Sequence, residues 1–268
     1  MNNTQTDFVT QLETALKTRF LGRRALYFPE LGSTNTSALQ LAKEKVGEGT
    51  LIIADSQSAG RGQKDRQWYS PPGVNLYFSL ILYPDLPITS LISLTLCIGT
   101  TLAGHLGRLS GKKIYLKWPN DLYVQGKKLG GILLEAAGSS CGKIQYLVAG
   151  IGLNINQPAH QFPLALQANA TSLAIQTGHV FERTVLLAQI LMELEKTYCL
   201  YLERGFSPFL SQFEPLDYLA GKTLQIKTAQ GILEGRALGI NSDGALLLQE
   251  AGNDHLLHKI VSGTICSF

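Results

Sequence analysis

The sequence of 268 residues predicts an α+β protein made of two domains, residues 1–218 and 219–268. Up to about residue 218, periodic helices mix with strands joined by tight hairpin turns, unlike the strict strand–helix alternation of a parallel α/β sheet. Beyond that point the sequence changes to short strands spaced about 8–12 residues apart, which is typical of a small β-barrel. The chain is also long enough to bury a large core.

The composition excludes several classes of protein. Hydrophobic residues make up 45% of the chain and charged residues 16%, which rules out intrinsic disorder, and the net charge is only +3. The four cysteines lack paired spacing, as expected of reduced thiols. The N-terminus has no signal-peptide pattern, and residues 86–107, although nearly uncharged, carry Pro, Gly, Ser and Thr, which favours a buried helix over a membrane span. We therefore expect a cytoplasmic protein that is not inserted in a membrane.

The first elements follow from periodicity and capping residues. Phe8, Leu12 and Leu16 share one face of a helix, and the run Gly32-Ser33-Thr34-Asn35 is rich in helix-capping residues. A polar loop with Gly and Pro separates a short apolar run from the next strand. The predicted elements are helices at 7–19 and 37–45, strands at 25–28 and 50–54, and a loop at 56–73.

Hairpins dominate the middle of the chain, and a long helix follows them. Turns at Pro119-Asn120 and Gln125-Gly126 separate short β-type runs, whereas the helical periodicity is strongest near residues 183–204. The predicted strands of the first domain are 74–82, 114–117, 122–124, 130–136 and 145–154, and its later helices are 88–109 and 183–204. The predicted strands of the second domain are 223–227, 231–240, 245–248 and 255–260.

Common nucleotide and metal motifs are absent. Residues 150–155 begin like a dinucleotide-binding fingerprint, but Ile155 replaces the last glycine and no helix follows. The sequence contains no P-loop, no HExxH and no clustered Cys/His ligands. His255 and His258 would point to opposite faces of a strand, which favours ordinary surface histidines. No resident metal site is expected.

A basic glycine-rich loop is the strongest chemical signal. Gly60 and Gly62 flank Arg61, and Lys64 and Arg66 follow closely. Glycines let backbone N–H groups approach an anion, and the cations neutralise it, so this loop suits a phosphate or a carboxylate. Taken alone, the same loop would more often be a solvated basic loop.

Other polar groups fall at predicted strand and helix ends. Lys117, Asp121 and Lys128 would come from neighbouring strand ends into one cleft, although Asn120-Asp121 also fits an ordinary turn and Lys128 an exposed hairpin lysine. Residues 33–35 could bind a small polar head group or simply cap a helix. Residues 150–156 predict a further strand that ends in two asparagines, Asn154 and Asn156.

Taken together, these motifs resemble those of bacterial biotin–protein ligases. The motifs, in chain order, are Ser33-Thr34-Asn35, Gln57-Ser-Ala-Gly60-Arg61-Gly62, Lys117-Trp118-Pro119-Asn120-Asp121, Lys128-Leu-Gly-Gly-Ile-Leu-Leu-Glu135, Gly152-Leu-Asn154 and Ala170-Thr-Ser-Leu173. The resemblance covers residues 25–265. It implies a central mixed sheet backed by helices, as in class II aminoacyl-tRNA synthetases and biotin ligase catalytic domains, and a C-terminal SH3-like β-barrel.

The resemblance also implies an activity and a set of site residues. It implies that biotin is activated with ATP and Mg²⁺ to biotinyl-5′-AMP and is then transferred to a lysine of the biotin carboxyl carrier protein of acetyl-CoA carboxylase. Lys128 and Arg61 would be catalytic. The expected biotin-binding residues are Ser33, Thr34, Asn35, Gln57, Gly60, Arg61, Trp118, Lys128, Gly130 and Gly131. The expected residues for ATP or the adenylate are Gly60, Arg61, Gly62, Gln63, Lys64, Arg66, Trp68, Lys117, Asn120, Asp121, Lys128 and Asn154.

The sequence departs from the family pattern at two places. The family loop often reads Gly-Arg-Gly-Arg-x-Gly-Arg, but Gln63 and Asp65 stand at the fourth and sixth positions, which removes one cation near the acyl phosphate. Only about 25 residues precede the first predicted strand, too few for the DNA-binding winged helix of some relatives. We therefore expect a ligase-only protein, monomeric or weakly dimeric, with no nucleic-acid partner.

Two alternative functions remain open at this point. A lipoate–protein ligase would share the fold and the adenylation chemistry. A nucleic-acid-binding module is suggested by the basic loop and the small barrel, but residues 219–268 contain almost no aromatic side chains for base stacking.

Overall fold

The computed structural model describes residues 3–252 and 255–267, except the side chains of residues 3–6 and 65. Residues 253, 254 and 268 of the predicted second domain therefore lie outside the described residues. The helices are α1 (Asn3–Ala15), α2 (Thr34–Lys43), α3 (Leu91–Ser110), α4 (Leu164–Gln167), α5 (Leu173–Thr177), α6 (Arg183–Arg204) and α7 (Ser207–Phe213). The strands are β1 (Ala25–Leu31), β2 (Leu51–Gln57), β3 (Leu76–Leu82), β4 (Tyr115–Lys117), β5 (Asp121–Val124), β6 (Lys127–Gly138), β7 (Ile144–Leu153), β8 (Thr223–Thr228), β9 (Gly231–Ile240), β10 (Leu246–Glu250), β11 (Leu257–Ile260) and β12 (Thr264–Ser267).

A seven-stranded mixed sheet forms the centre of the first domain, in the order β1-β2-β3-β7-β6-β5-β4. Only the β1–β2 pair is parallel among the described pairs, and the others are antiparallel. Every residue of β3 is buried because helices cover both faces of the sheet. This arrangement confirms the predicted α+β class.

Helices of unequal number cover the two faces. On one face, α2 packs alone over β2, β3 and β7 through a small apolar cluster of Ala38, Ala42, Ile52, Ile81 and Val148. On the other face, α1, α3 and α6 contribute to the large core. Because α2 covers only part of its face of the sheet, the rest of that face is not covered by a long helix among the described residues.

Helix α3 approaches the sheet closely. A Cβ at Gly99 would lie 2.7 Å from the Leu116 methyl groups, so a larger residue here would displace the Leu116 side chain. Among the described residues, one segment, Ile88–Ser110, is long and apolar enough to cross a membrane, but 61% of its apolar window is buried inside the protein. The expectation of a buried core helix agrees with this packing.

The second domain is a five-stranded antiparallel sheet in the order β11-β10-β9-β8-β12. It contacts the first domain directly, since the Trp118 Nε1–H donates to the Gly244 carbonyl at 3.0 Å. The division at residues 218 and 219 stays a prediction.

Most predicted elements are present, with shifted ends. Helix α6 has the predicted bounds, whereas α2 begins at Thr34 instead of residue 37 because Ser33 is already the extended residue before the helix. Strand β12 and the short helices α4, α5 and α7 were not predicted, and each is no longer than seven residues. Short elements lack the two or more turns or alternations that make periodicity visible.

Candidate active site

A cavity of about 260 Å³ lies on the α2 face of the central sheet, next to the N-terminus of that helix. Its walls come from β6 and β7, the start of α2, the loop between β2 and β3, the start of β5 and the segment 162–170. The glycine-rich loop and the end of the Lys117–Asp121 motif, distant in sequence, therefore meet in one cavity.

Glycines in β6 and β7 make room on the sheet surface. A Cβ at Gly150 would overlap the Asn35 carboxamide, and a Cβ at Gly152 would lie 2.7 Å from the Trp68 ring. At Gly131 the nearest atoms are Asp121 Oδ1 at 3.3 Å and the Trp68 ring at 3.4 Å. These positions let polar and aromatic groups lie directly on the strands.

Buried polar side chains at the start of α2 form one end of the cavity. The Thr34 N–H and hydroxyl donate to Gln57 Oε1 at 2.9 and 3.2 Å, and Gln57 Nε2 donates to Ser70 Oγ at 2.9 Å. The Ser79 hydroxyl is within hydrogen-bond distance of Asn35 Oδ1 at 2.6 Å and Thr34 Oγ1 at 2.8 Å. This network fixes the orientation of its amide and hydroxyl groups before any ligand binds.

Ser33 occupies the N-cap position of α2, yet its hydroxyl makes no capping hydrogen bond. The side chain is buried and lines the cavity. The sequence left open whether residues 33–35 only cap a helix. The geometry favours a ligand-facing role for Ser33, because capping does not use its hydroxyl.

The glycine-rich loop folds as an irregular hairpin over the cavity. The Trp68 N–H donates to Gly60 O at 2.8 Å, and the Gly62 N–H donates to Arg66 O at 2.7 Å. A Cβ at Gly60 would lie 2.5 Å from Trp68 O, so glycine allows the two arms of the hairpin to approach. Gly60 itself does not line the cavity in the described structure, and its contribution is to the shape of the loop.

Two cations that the sequence singled out share the cavity. Arg61 comes from the loop and forms a bidentate pair with Glu135, with N–O distances of 2.9 and 3.1 Å. Lys128 comes from β6, and its Nζ lies 2.7 Å from Asp121 Oδ1. Both residues line the main cavity. Arg61 and Lys128, the two residues expected to be catalytic, therefore lie in one cavity.

Trp68 covers the sheet between the loop and Lys128. The Lys128 Nζ lies 5.2 Å from the centre of the indole ring, within the range of a cation–π contact. The indole Nε1 is buried without a hydrogen-bond partner among the described residues. A buried donor of this kind is costly unless a ligand or water satisfies it.

Two predicted asparagines are anchored by their amide groups. Asn120 Nδ2 donates to Ile132 O at 2.6 Å, and Asn154 Nδ2 donates to Thr171 O at 3.0 Å. Both residues are buried and line the cavity. These hydrogen bonds from the side-chain amides to main-chain carbonyls fix the cavity walls on either side of Lys128.

A smaller cavity of about 70 Å³ adjoins the first and involves the second domain. Lys64, Arg66 and Lys117 line it together with residues 263–265. The Lys64 ammonium donates to the Thr264 hydroxyl. The predicted residues Lys64 and Lys117 thus lie beside the main cavity and do not line it, whereas Gln63, Arg66, Asn120 and Asp121 line both.

Positive charge is concentrated around Lys117. Burial lowers the pKa of the Lys117 ammonium, and the Asp121 carboxylate opposes that shift. Three further cations reinforce it, namely Lys128, Lys222 and Arg66. The junction between the loop, the motif and the second domain therefore has a positive potential that attracts anions.

Two of the expected biotin-binding residues do not line the main cavity. Trp118 is almost fully buried, and its Nε1 donates to Gly244 O at 3.0 Å, so the side chain joins the two domains. A Cβ at Gly130 would meet Leu153 at 2.7 Å and Gly152 O at 2.9 Å, which makes Gly130 a packing position within the sheet. Both expectations are corrected by packing: Trp118 lies between the two domains, and Gly130 is enclosed by Leu153 and Gly152 within the sheet.

Sequence reasoning missed several groups around the cavity. Glu135, Ser70 and Ser79 hold the predicted residues by hydrogen bonds, and Tyr123 and Phe162 add aromatic surface. Glu135 is the last residue of the motif that begins at Lys128, but the sequence indicated no role for it. Ser79 is the serine in an otherwise hydrophobic run, Leu76–Leu82, and this exception to its neighbours was the available signal.

Comparison with known proteins adds family information to this geometry. Residues 27–154 match the biotin/lipoate A/B protein ligase family, and residues 220–268 match the biotin protein ligase C-terminal domain. The bifunctional ligase/repressor BirA of Bacillus subtilis is 36% identical over 240 residues, which cover 90% of this chain and 74% of that protein. The chain belongs to the biotin/lipoate A/B protein ligase family.

Members from other sources agree on fold and length. The biotin–[acetyl-CoA-carboxylase] ligase of Paracoccus denitrificans is 29% identical and covers 81% of this chain and 90% of its own. The structure of the Aquifex aeolicus biotin protein ligase in complex with biotin and ATP superimposes with a TM-score of 0.77 at 28% identity, over 91% of this chain and 97% of that one. The chain is therefore a ligase, and its C-terminal antiparallel sheet is the SH3-like domain of the family.

Proposed function

We propose that this protein is an ATP-dependent biotin–protein ligase that forms biotinyl-5′-AMP and transfers biotin to a lysine of a biotin carboxyl carrier protein. The observation that carries the proposal is that Arg61 and Lys128 enter one cavity whose far end is a fixed polar network. The similar Aquifex aeolicus enzyme was solved with biotin and ATP, which supports the same two substrates here.

The first step joins two anions. A carboxylate oxygen of biotin attacks the α-phosphorus of ATP, the bond from that phosphorus to the β-bridging oxygen breaks, and pyrophosphate leaves with the electron pair. The reactants repel each other until fixed cations stabilise the charge that builds up in the transition state. Arg61 and Lys128 supply those cations, and positioning supplies most of the remaining rate enhancement.

The second step transfers the acyl group. A neutral lysine amine of the acceptor attacks the acyl carbon of the adenylate, the carbon–oxygen bond to AMP breaks, and the surplus proton of the amine passes to water. The hairpin over the cavity keeps water from the reactive anhydride until the acceptor arrives. Lys128 stays close to the leaving phosphate and stabilises its charge.

Polar recognition at the α2 end distinguishes biotin from lipoate. The ureido ring of biotin presents one carbonyl and two N–H groups, which suit Ser33, Thr34 and Gln57. A dithiolane ring offers no such groups, so it would displace water from these polar side chains without replacing the hydrogen bonds that the water makes. The apolar surface of Leu133 and Trp68 then suits the ring edge and the alkyl chain.

Mg²⁺ enters with ATP in this proposal. The two carboxylates next to the cavity cations, Asp121 and Glu135, are already paired with Lys128 and Arg61. No group of three or more potential metal ligands occurs among the described residues. The ion is therefore expected to be held mainly by phosphate oxygens and water, which Mg²⁺ tolerates well.

The acceptor and the setting are also proposals. The similarity to the biotin–[acetyl-CoA-carboxylase] ligase of Paracoccus denitrificans supports the carrier subunit of acetyl-CoA carboxylase as the acceptor. We propose a cytoplasmic enzyme, monomeric or weakly dimeric, that acts without a nucleic-acid or membrane partner.

Mass spectrometry tests the proposed activity. The purified protein is mixed with ATP, Mg²⁺ and biotin, and biotinyl-5′-AMP and pyrophosphate are measured, with lipoate in a parallel reaction. Formation of the biotin adenylate, with little or no lipoyl adenylate, is the expected result. Lys128→Ala should lower the rate by about 10²–10³-fold, the loss typical of one preorganised electrostatic partner. Absence of any adenylate from the wild-type protein would contradict the proposal.

A further inference from the structure

Glu135 stands where the loop, the sheet and the start of α2 meet. It lies in β6 two residues beyond Leu133, which lines the cavity. Its carboxylate accepts two hydrogen bonds from Arg61, at 2.9 and 3.1 Å, and one from Asn35 Nδ2 at 2.9 Å. A single carboxylate thus connects the loop cation with the polar end of the cavity.

The Arg61 side chain depends on this carboxylate for its orientation. In the described part of the chain, the guanidinium is hydrogen-bonded to Glu135 alone. A two-point contact between a guanidinium and a carboxylate fixes both the position and the plane of the guanidinium. Arginine has five N–H donors, so three remain for a ligand. The pair therefore holds Arg61 in place and still leaves it able to bind an anion.

We propose that Glu135 is a positioning residue that holds Arg61 over the cavity for adenylation. The proposal rests on the proposed ligase function. Glu135 does not touch the reacting atoms and acts through Arg61. It also ties the position of Arg61 to that of Asn35, so that the polar end of the cavity and the loop cation keep a fixed separation.

A carboxylate is required at this position because three donors converge on it. Glutamine has the same length, but its single carbonyl oxygen cannot replace two carboxylate oxygens, and its NH₂ group would face a donor of Arg61 or Asn35. The pair is partly exposed, with 42% of the Arg61 side chain and 23% of the Glu135 side chain accessible. Exposed pairs contribute little to folding stability, so the loss should affect the reaction and not the fold.

A double-mutant cycle on adenylate formation tests the proposal. The single-turnover rate is measured by mass spectrometry at saturating biotin and ATP for wild type, Glu135→Gln, Arg61→Gln and the double variant, together with the melting temperature. Glu135→Gln should lower the rate by about 10–100-fold, since a misplacement of about 1 Å can cost about 100-fold. The double variant should be no slower than Arg61→Gln, because Glu135 then has no guanidinium to hold.

The matched control is Asp85→Asn, which removes an exposed ion pair with Lys143 away from the cavity and should leave the rate unchanged. A Glu135→Gln rate within about twofold of wild type would overturn the proposal. So would rate losses that multiply in the double variant, or a loss of activity that follows a loss of thermal stability. If the wild-type protein formed no adenylate, the proposed function would fail first, and the two failures are thereby distinguished.

Discussion

Gly152→Ala should disturb the candidate active site while leaving the sheet intact. The added methyl group would lie 2.7 Å from Trp68 Cε2 and Nε1, well inside an ordinary van der Waals contact. The backbone N–H of Trp68 donates to Gly60 O at 2.8 Å, which holds the main chain of the hairpin in place. The indole ring must therefore rotate away from β7, or the hairpin must shift with it.

The expected magnitude follows from this overlap. Overpacking by one methyl group costs about 1–3 kcal/mol. Trp68 belongs to a partly exposed loop, so the added methyl group should destabilise the packed conformation of that loop and not the fold of the domain. A penalty of about 1–3 kcal/mol corresponds to about 5- to 150-fold weaker binding of any ligand that needs the loop packed over it.

Calorimetry and tryptophan fluorescence measure this effect. Titration with biotin, and then with ATP, should give weaker affinity for Gly152→Ala, and the emission of Trp68, one of only two tryptophans, should shift to longer wavelength. Gly138→Ala in β6 is the matched control, because its nearest atom is Lys143 O at 3.9 Å. Wild-type affinity and unchanged emission in Gly152→Ala would refute the assigned position of Trp68.

Three further predictions concern the loop, the domain junction and acid stability. Gln63→Arg adds a cation to the cavity wall, and release of the biotinyl adenylate should slow by about tenfold or more, measured by rapid dilution, because hydrogen bonds to charged groups contribute about 1.5–3 kcal/mol. Trp118→Phe removes the hydrogen bond to Gly244 and should lower the free energy of unfolding by about 1–3 kcal/mol in urea titrations, with biotin affinity unchanged. Burial disfavours the charged form of Glu195, but backbone N–H groups of residues 19–21 outweigh it and lower its pKa. Stability from this group is present above the ordinary pKa near 4.5 and is lost as the pH falls through the lowered value, so Glu195→Gln should flatten the acid limb of a denaturation series.

The fold could be predicted where periodicity and turn chemistry agree. Helix α6 has the bounds that its apolar repeat indicates, and the hairpins between β4 and β7 follow their turn residues. The order of strands in the central sheet could not be predicted, because pairing such as β3 with β7 joins segments about 70 residues apart and depends on tertiary packing. Short elements such as β12 are stabilised by pairing with β8 and carry little local signal.

The motifs that contribute residues to the site could be predicted from the sequence, but the contacts between their side chains could not. Arg61, Lys128 and Gln57 were identified because charge and glycine content point to anion binding and a resemblance supplied the rest. Trp118 was misassigned since a tryptophan next to a polar motif suits either a pocket wall or a domain contact, and only the position of Gly244 decides between them. Glu135 carried no local signal, because its partners lie 74 and 100 residues away in sequence.

A crystal structure with a non-hydrolysable analogue of biotinyl-5′-AMP tests the central claim most directly. We expect the Arg61 guanidinium and the Lys128 ammonium to lie within hydrogen-bond distance of the group that replaces the acyl phosphate, with the ureido ring beside Ser33 and Gln57. A complex in which other residues hold that group, and in which both cations face solvent, would contradict the account.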